Sequence, residues 1–198
     1  MTEAPRAHLD LQPADERTAL GERLDRYRAI VAGALASVTW PQASAPPLPR
    51  TNMTMAGIVR HLAWAEDRWF QGRLLGLPMP APWDAPGADD PDAAMSLRTD
   101  DSVDGILDLY ATACERSRRA MARFESFSQP AVVASFGVGP VNLRWIMVHM
   151  IDETARHAGR LDVLGDSWSA AGDSASREAK STAVGDRLEG SGTDGASG

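Results

Sequence analysis

Apolar residues recur every three or four positions in four stretches of the chain, and this period predicts four amphipathic helices. The first is predicted within about 14–38, and the second begins behind Asn52 or Thr54 as its cap and ends near 72–76. The proline-rich segment 41–50 separates them, because proline cannot continue a helix. The predicted apolar faces of these two helices contain Leu20, Leu24, Tyr27, Val31, Leu35, Val38, Met55, Ile58, Val59, Leu62, Trp69 and Phe70.

The third helix is predicted to begin near Ser102, and the fourth runs from Leu143 to about Leu164 with Asn142 as its cap. One face of the third helix contains Val103, Ile106, Tyr110, Ala113, Ser117, Met121 and Phe124. A long loop rich in proline, aspartate and alanine, 77–96, lies before it, and loops of this length often line functional sites. Four helices without a strand signal predict an all-α four-helix bundle.

The domain organisation follows from the same pattern. Residues 1–165 are predicted to form one bundle domain, since a hydrophobic fraction of 43 % is enough for a real core. Residues 166–198 are rich in glycine, serine, aspartate and alanine, and are predicted to stay disordered.

Charge and cysteine content narrow the class of protein. The chain is acidic, with a net charge of -7 and a pI near 5.1, so it repels phosphate groups, and this disfavours nucleic acid as a partner. No stretch of about 18 apolar residues is present to span a membrane, and the N-terminal residues do not read as a secretory signal. Cys114 is the only cysteine, so we expect a protein of the reducing cytoplasm.

Two polar residues interrupt the apolar seam of the fourth helix. The seam consists of Leu143, Ile146, Met150, position 153, position 157, Leu161 and Leu164. Positions 153 and 157 are Glu153 and His157, whose spacing of four places both side chains on one face. Because a carboxylate in a bundle core is costly unless its charge is compensated, the pair predicts a metal site. The alternative is a buried polar network without metal.

A third ligand has to come from another helix, and His61 in the middle of the second helix is the candidate. Two imidazoles and one carboxylate leave coordination positions open, which is typical of a reactive metal site. His149 lies one turn before Glu153 and is interpreted as a pocket residue rather than a ligand. Arg156 is interpreted as a cation at the pocket rim or the surface. His149 and Arg156 are the two candidate catalytic residues.

Two segments resemble a known family. Residues 54–62, TMAGIVRHL, and 143–159, LRWIMVHMIDETARHAG, are similar to the DinB/YfiT-like superfamily, in the branch of the mini-circle protein and the mycothiol S-transferases. The resemblance spans about 20–165 and implies a four-helix bundle with a divalent metal on His61, Glu153 and His157. Arg160 departs from the branch, where a histidine often stands at that position.

The function implied by the resemblance is thiol transfer to an electrophile. A bound divalent metal, with zinc preferred over nickel, manganese, iron or cobalt, activates the sulfur of mycothiol or a similar low-molecular-weight thiol for attack on a small electrophile. A pathway-specific metalloenzyme that performs isomerisation or hydrolysis without mycothiol is one alternative. A non-catalytic, stress-related binding bundle is another, and the sequence leaves metal identity, substrate and oligomeric state open.

Overall fold

The computed structural model describes most of the chain. The described residues are 15–48, 51–84, 90–133 and 139–189, except the side chains of residues 91, 92 and 169–189. All regular secondary-structure elements in these residues are helices and none is a strand, so the predicted all-α bundle is confirmed. None of the described helices is both long and apolar enough to cross a membrane.

Four long helices, here called rods, form the bundle. The elements are α1 (Glu16–Ala36), α2 (Trp40–Ser44), α3 (Met55–Glu66), a π-helical segment (Asp67–Leu74), α4 (Pro91–Ala94), α5 (Val103–Ala122) and α6 (Leu143–Glu189). The π-helical segment continues α3 directly, so the four rods are α1, α3 with the π-helical segment, α5 and α6. The helix α1 packs against α5 and α6, and α3 packs against the same two helices. The core therefore lies between these four rods.

Side-chain caps fix where the helices of the bundle begin. The Thr54 hydroxyl accepts a hydrogen bond from the backbone N–H of Gly57 at 3.0 Å, so the structure selects Thr54 over Asn52 as the cap of α3. Ser102 accepts in the same way from Gly105 at the start of α5. The Asn142 side chain accepts from the Trp145 N–H at 3.0 Å, which confirms the predicted start of α6.

Three local elements differ from the sequence prediction. The helix α2 lies where a helix-free linker was expected, because Pro41 occupies the first turn, the one place in a helix that tolerates proline. The short helix α4 lies within the predicted loop 77–96. The second rod changes from α to π geometry at Asp67, a change that often marks a functional region.

The last helix is also longer than predicted. It continues to Glu189 rather than ending near Leu164. No proline follows Pro140, and a single interior glycine such as Gly165 costs a helix only about 1 kcal/mol. The side chains after residue 168 and all of 190–198 lie outside the described residues, so the division at 165/166 stays a prediction.

A glycine lets α3 pack closely against the segment after α4. A Cβ added at Gly57 would lie 2.6 Å from the Met95 carbonyl oxygen, which is backbone and cannot rotate away. We expect Gly57→Ala to lower the free energy of unfolding by about 1–3 kcal/mol in urea titrations. The matched control is Gly33→Ala, because no heavy atom would lie within 4 Å of its Cβ, and it should stabilise α1 by roughly 0.5–1 kcal/mol. Equal effects of the two substitutions would contradict this packing.

Candidate metal centre

Three side chains from two helices converge inside the bundle. The Glu153 Oε1 atom lies 3.2 Å from His61 Nε2 and 3.0 Å from His157 Nε2. The two imidazole rings are 5.0 Å apart between centroids. The nitrogen and oxygen atoms that could bind an ion all lie within 4.8 Å of one another. The proximity predicted for these three residues from the sequence is therefore present.

The local packing explains why the side chains point inward. His61 lies in the middle of α3, is only 5 % exposed, and stacks on Trp64 with ring centroids 5.6 Å apart. His157 is 2 % exposed, and its seam neighbours Met150 and Leu161 are fully buried. Glu153 retains 18 % side-chain exposure, so solvent reaches the cluster from its side.

The cluster strongly favours a charged Glu153. Hydrogen bonds from His157 and His61 to its carboxylate hold the pKa of Glu153 well below its usual range, although partial burial acts in the opposite direction. The carboxylate is thus ionised at every physiological pH. An anionic oxygen flanked by two imidazole nitrogens is a ligand set that divalent transition metals prefer.

The separations of these atoms agree with the size of a metal ion. Two ligand atoms at about 2.0–2.1 Å from a tetrahedral ion are about 3.3 Å apart, close to the 3.0 Å and 3.2 Å observed here. Both Nε2 atoms face the same oxygen, so one ion could replace the two protons that otherwise join them. One feature is less typical: His157 Nδ1 is buried and has no hydrogen-bond partner among the described residues, whereas a histidine ligand usually donates from its second nitrogen. On its donor atoms the site fits a single divalent ion.

Buried ion pairs, which the sequence analysis did not identify, hold the helices around the site. Arg28 of α1 makes two hydrogen bonds to the Glu66 carboxylate, at 2.8 Å and 2.6 Å, and the pair is almost completely buried. Next in the chain, Asp67 accepts two hydrogen bonds from Arg116 of α5 and one from the Trp83 indole. These contacts anchor the junction of α3 and the π-helical segment to α1 and α5.

His149 lies in an aromatic cluster one helical turn from Glu153. Its ring stacks on Trp145 with centroids 5.1 Å apart and contacts Trp69 at 4.4 Å. Burial lowers the pKa of His149 below the ordinary 6.5, so the ring is mostly neutral at pH 7. No described contact joins it to His61 or His157, so the structure does not bring it into the three-residue cluster.

Arg156 lies on the exposed side of the cluster. Its Nη1 atom is 3.8 Å from Glu153 Oε2, and its side chain is 60 % exposed. The long, exposed contact leaves the guanidinium able to turn toward a ligand. This position is at the rim of the site.

Comparisons with known proteins identify the family of the chain and agree with its fold. A family model described as mycothiol-S-transferase matches residues 19–168, most of the chain. A solved structure of a conserved protein from Enterococcus faecalis superimposes with a TM-score of 0.63, covering 78 % of this chain and 97 % of that chain. At 17 % identity this second likeness shows a shared fold alone. No curated protein matches the chain significantly.

Proposed function

The chain belongs to the mycothiol-S-transferase family, and from this premise we propose that it is a metal-dependent transferase joining a mycothiol-type thiol to a small electrophile. The observation that carries the proposal is the convergence of His61, Glu153 and His157 on one point of the bundle. Three protein ligands leave coordination positions for a substrate atom, as in catalytic rather than structural metal sites. A purely structural site is typically closed by four protein ligands.

Each residue of the site has a distinct task in this mechanism. His61, Glu153 and His157 would hold the ion, which when bound lowers the pKa of a coordinated thiol and supplies a nucleophile near neutral pH. Glu153 contributes the negative charge that balances the ion. The sulfur attacks the electrophilic carbon and forms a C–S bond, the leaving group departs with the electron pair of the bond that breaks (as chloride from monochlorobimane), and the thiol proton passes to a base.

His149 is the proposed acceptor of that proton. Its neutral ring has a free lone pair at pH 7, and it lies one helical turn before Glu153 on α6. The stacked Trp145 ring fixes the plane of the imidazole. Arg156, at the rim, is proposed to orient the substrate by its positive charge.

Replacing His149 should separate proton transfer from metal binding. We expect His149→Gln to keep its metal but to lose about 100-fold in thiol-dependent kcat/KM. Because only the neutral ring accepts a proton, wild-type kcat/KM should fall as the pH drops through the His149 pKa, which burial places below the ordinary 6.5, and the variant should lack this limb. Metal content measured at each pH controls for loss of the ion. Loss of metal from His149→Gln would instead make His149 a ligand, and an unchanged rate would remove it from the mechanism.

The proposed activity itself is tested with a fluorogenic electrophile. Metal-loaded protein is incubated with monochlorobimane and either mycothiol, glutathione, cysteine or no thiol, and the fluorescent conjugate is measured. We expect conjugation above the spontaneous rate with at least one thiol, and we expect chelation of the metal to remove it. Metal-loaded protein that accelerates conjugation with none of these thiols would contradict the proposal.

A further inference from the structure

A cleft beside the metal centre has the properties of a second substrate site. We propose that it binds the electrophile, and that the electrophile is an apolar molecule carrying a carboxylate. The cleft has a volume of about 420 Å³, within the range of small-molecule sites. Its lining residues are Leu48, Thr51, Met53, Arg156, Gly159, Arg160, Val163 and Leu164. This inference names the substrate class for the proposed transferase and so rests on that proposal.

The cleft lies between α6 and the segment that precedes α3. Its α6 wall is one helical face, since Arg156, Gly159, Arg160 and Val163 follow the spacing of three, four and seven. The opposite wall is the stretch from Thr51 to Met53 together with Leu48. The long axis of α6 therefore runs from the metal centre along the cleft.

Arg156 connects the cleft to the metal centre. It lines the cleft and lies 3.8 Å from Glu153 Oε2, so a molecule in the cleft is one side chain away from a proposed metal ligand. Glu153 is also the most exposed of the three clustered side chains. A reactive carbon at this end of the cleft would thus approach the thiol sulfur from the solvent side.

The walls of the cleft combine apolar surface with positive charge. Leu48, Met53 and Leu164 supply apolar groups, and Val163, which is 55 % exposed, extends this apolar surface. Two arginines border this surface, and among the described residues no aspartate or glutamate lines the cleft.

The second arginine is available to an anion. No carboxylate of the described residues forms an ion pair with Arg160, which is exposed. Arg156 and Arg160 are one turn apart, and the only described carboxylate that forms an ion pair with either of them is Glu153, so they make a local positive patch in a chain of net charge -7. The guanidinium group pairs with a carboxylate through two parallel hydrogen bonds, which makes a carboxylate the matching ligand group.

Gly159 keeps the middle of the cleft open. It is exposed, and a Cβ added there would have no heavy atom within 4 Å. A leucine at this position can extend into the cleft without strain on the helix. The matched control is Gly33, which is equally open and exposed within α1 but does not line this cleft.

The test is a calorimetric titration of the metal-loaded protein with 4-phenylbutanoate and with its uncharged amide. We expect the carboxylate to bind about fivefold more tightly than the amide at low salt. Arg160→Gln should reduce this preference to less than about twofold, since only Arg156 remains, and Gly159→Leu should weaken both affinities by at least about tenfold. Gly33→Leu should bind both as the wild type does.

Three results would overturn the proposal: equal wild-type affinities for both probes, no effect of Arg160→Gln, or no effect of Gly159→Leu. If the carboxylate bound the metal directly, neither cleft variant would weaken it, and the proposal would fail in that way as well. Because the titration contains no thiol and measures no turnover, it gives an answer even if the transferase activity proves absent. If the protein is an active transferase but neither probe binds the cleft, the conjugation assay succeeds while the titration fails, so the two proposals are tested separately.

Discussion

Glu153→Ala should reduce the metal content of the purified protein from about one ion per chain to background. The substitution removes the only anionic ligand and leaves two imidazoles, which bind a divalent ion far more weakly. The thiol-dependent kcat/KM with monochlorobimane should fall by at least about 1000-fold, close to the rate without protein. Elemental analysis of untagged protein and the conjugation assay measure the two effects on the same preparation.

The control for this prediction is Glu22→Ala. Glu22 is an exposed glutamate of α1, away from the cluster, so its loss should leave metal content and rate unchanged. Thermal unfolding of both variants establishes that they are folded. Metal retained at wild-type stoichiometry in Glu153→Ala would show that the ion lies elsewhere, and equal loss in both variants would show that it was bound nonspecifically.

Glu66→Gln should lower the free energy of unfolding by about 3 kcal/mol. Arg28 and Glu66 are 4 % and 0 % exposed, so removing the negative charge leaves a guanidinium charge in the core. Asp25, 2.8 Å from Arg28, compensates part of that charge, which keeps the effect at the lower end of the range for buried pairs. Urea titration measures the loss as a lower midpoint at an unchanged slope.

Two further variants give this prediction its controls. Arg118→Ala removes an ion pair with Asp25 in which both side chains are more than 40 % exposed, and it should cost less than about 1 kcal/mol. The double variant Arg28→Met with Glu66→Leu replaces the buried pair by apolar groups and should recover most of the lost stability. If Glu66→Gln were as mild as Arg118→Ala, the buried pair would not contribute to stability as argued.

The seam of α6 shows why the bundle and the cluster were predictable from the sequence. Five of its seven positions are apolar, and all five are buried: Leu143, Ile146, Met150, Leu161 and Leu164. Glu153 and His157 were visible as polar residues because they interrupt that period. Whether the His61 side chain points into the bundle depends on how α3 is rotated about its own axis, and the spacing of its apolar residues fixes that rotation only approximately.

The same reasoning could have found the buried ion pair. Arg28 lies four residues after Leu24 and three before Val31, on the apolar stripe of α1, which is an unusual place for an arginine. Glu66 lies four residues after Leu62 on α3. Each signal points to a buried charge, but their pairing is a tertiary contact between helices that sequence spacing does not specify.

The π-helical segment and the cleft beside Arg156 could not have been predicted. The sequence DRWFQGRL has no composition that favours π over α geometry, and the contacts of Asp67 with Arg116 and Trp83 form only in the folded bundle. The cleft has walls that are about 100 residues apart in the chain, so its shape depends on how α6 packs beside the segment before α3.

We propose that two imidazoles and one carboxylate of this chain bind one divalent ion. X-ray absorption spectroscopy of untagged, metal-loaded wild-type protein tests it most directly, because imidazole ligands give a characteristic multiple-scattering pattern. We predict a first shell of nitrogen and oxygen at about 2.0–2.2 Å with two imidazoles, and only one imidazole in His61→Ala. A spectrum without imidazole scattering, or one that His61→Ala leaves unchanged, would contradict the account.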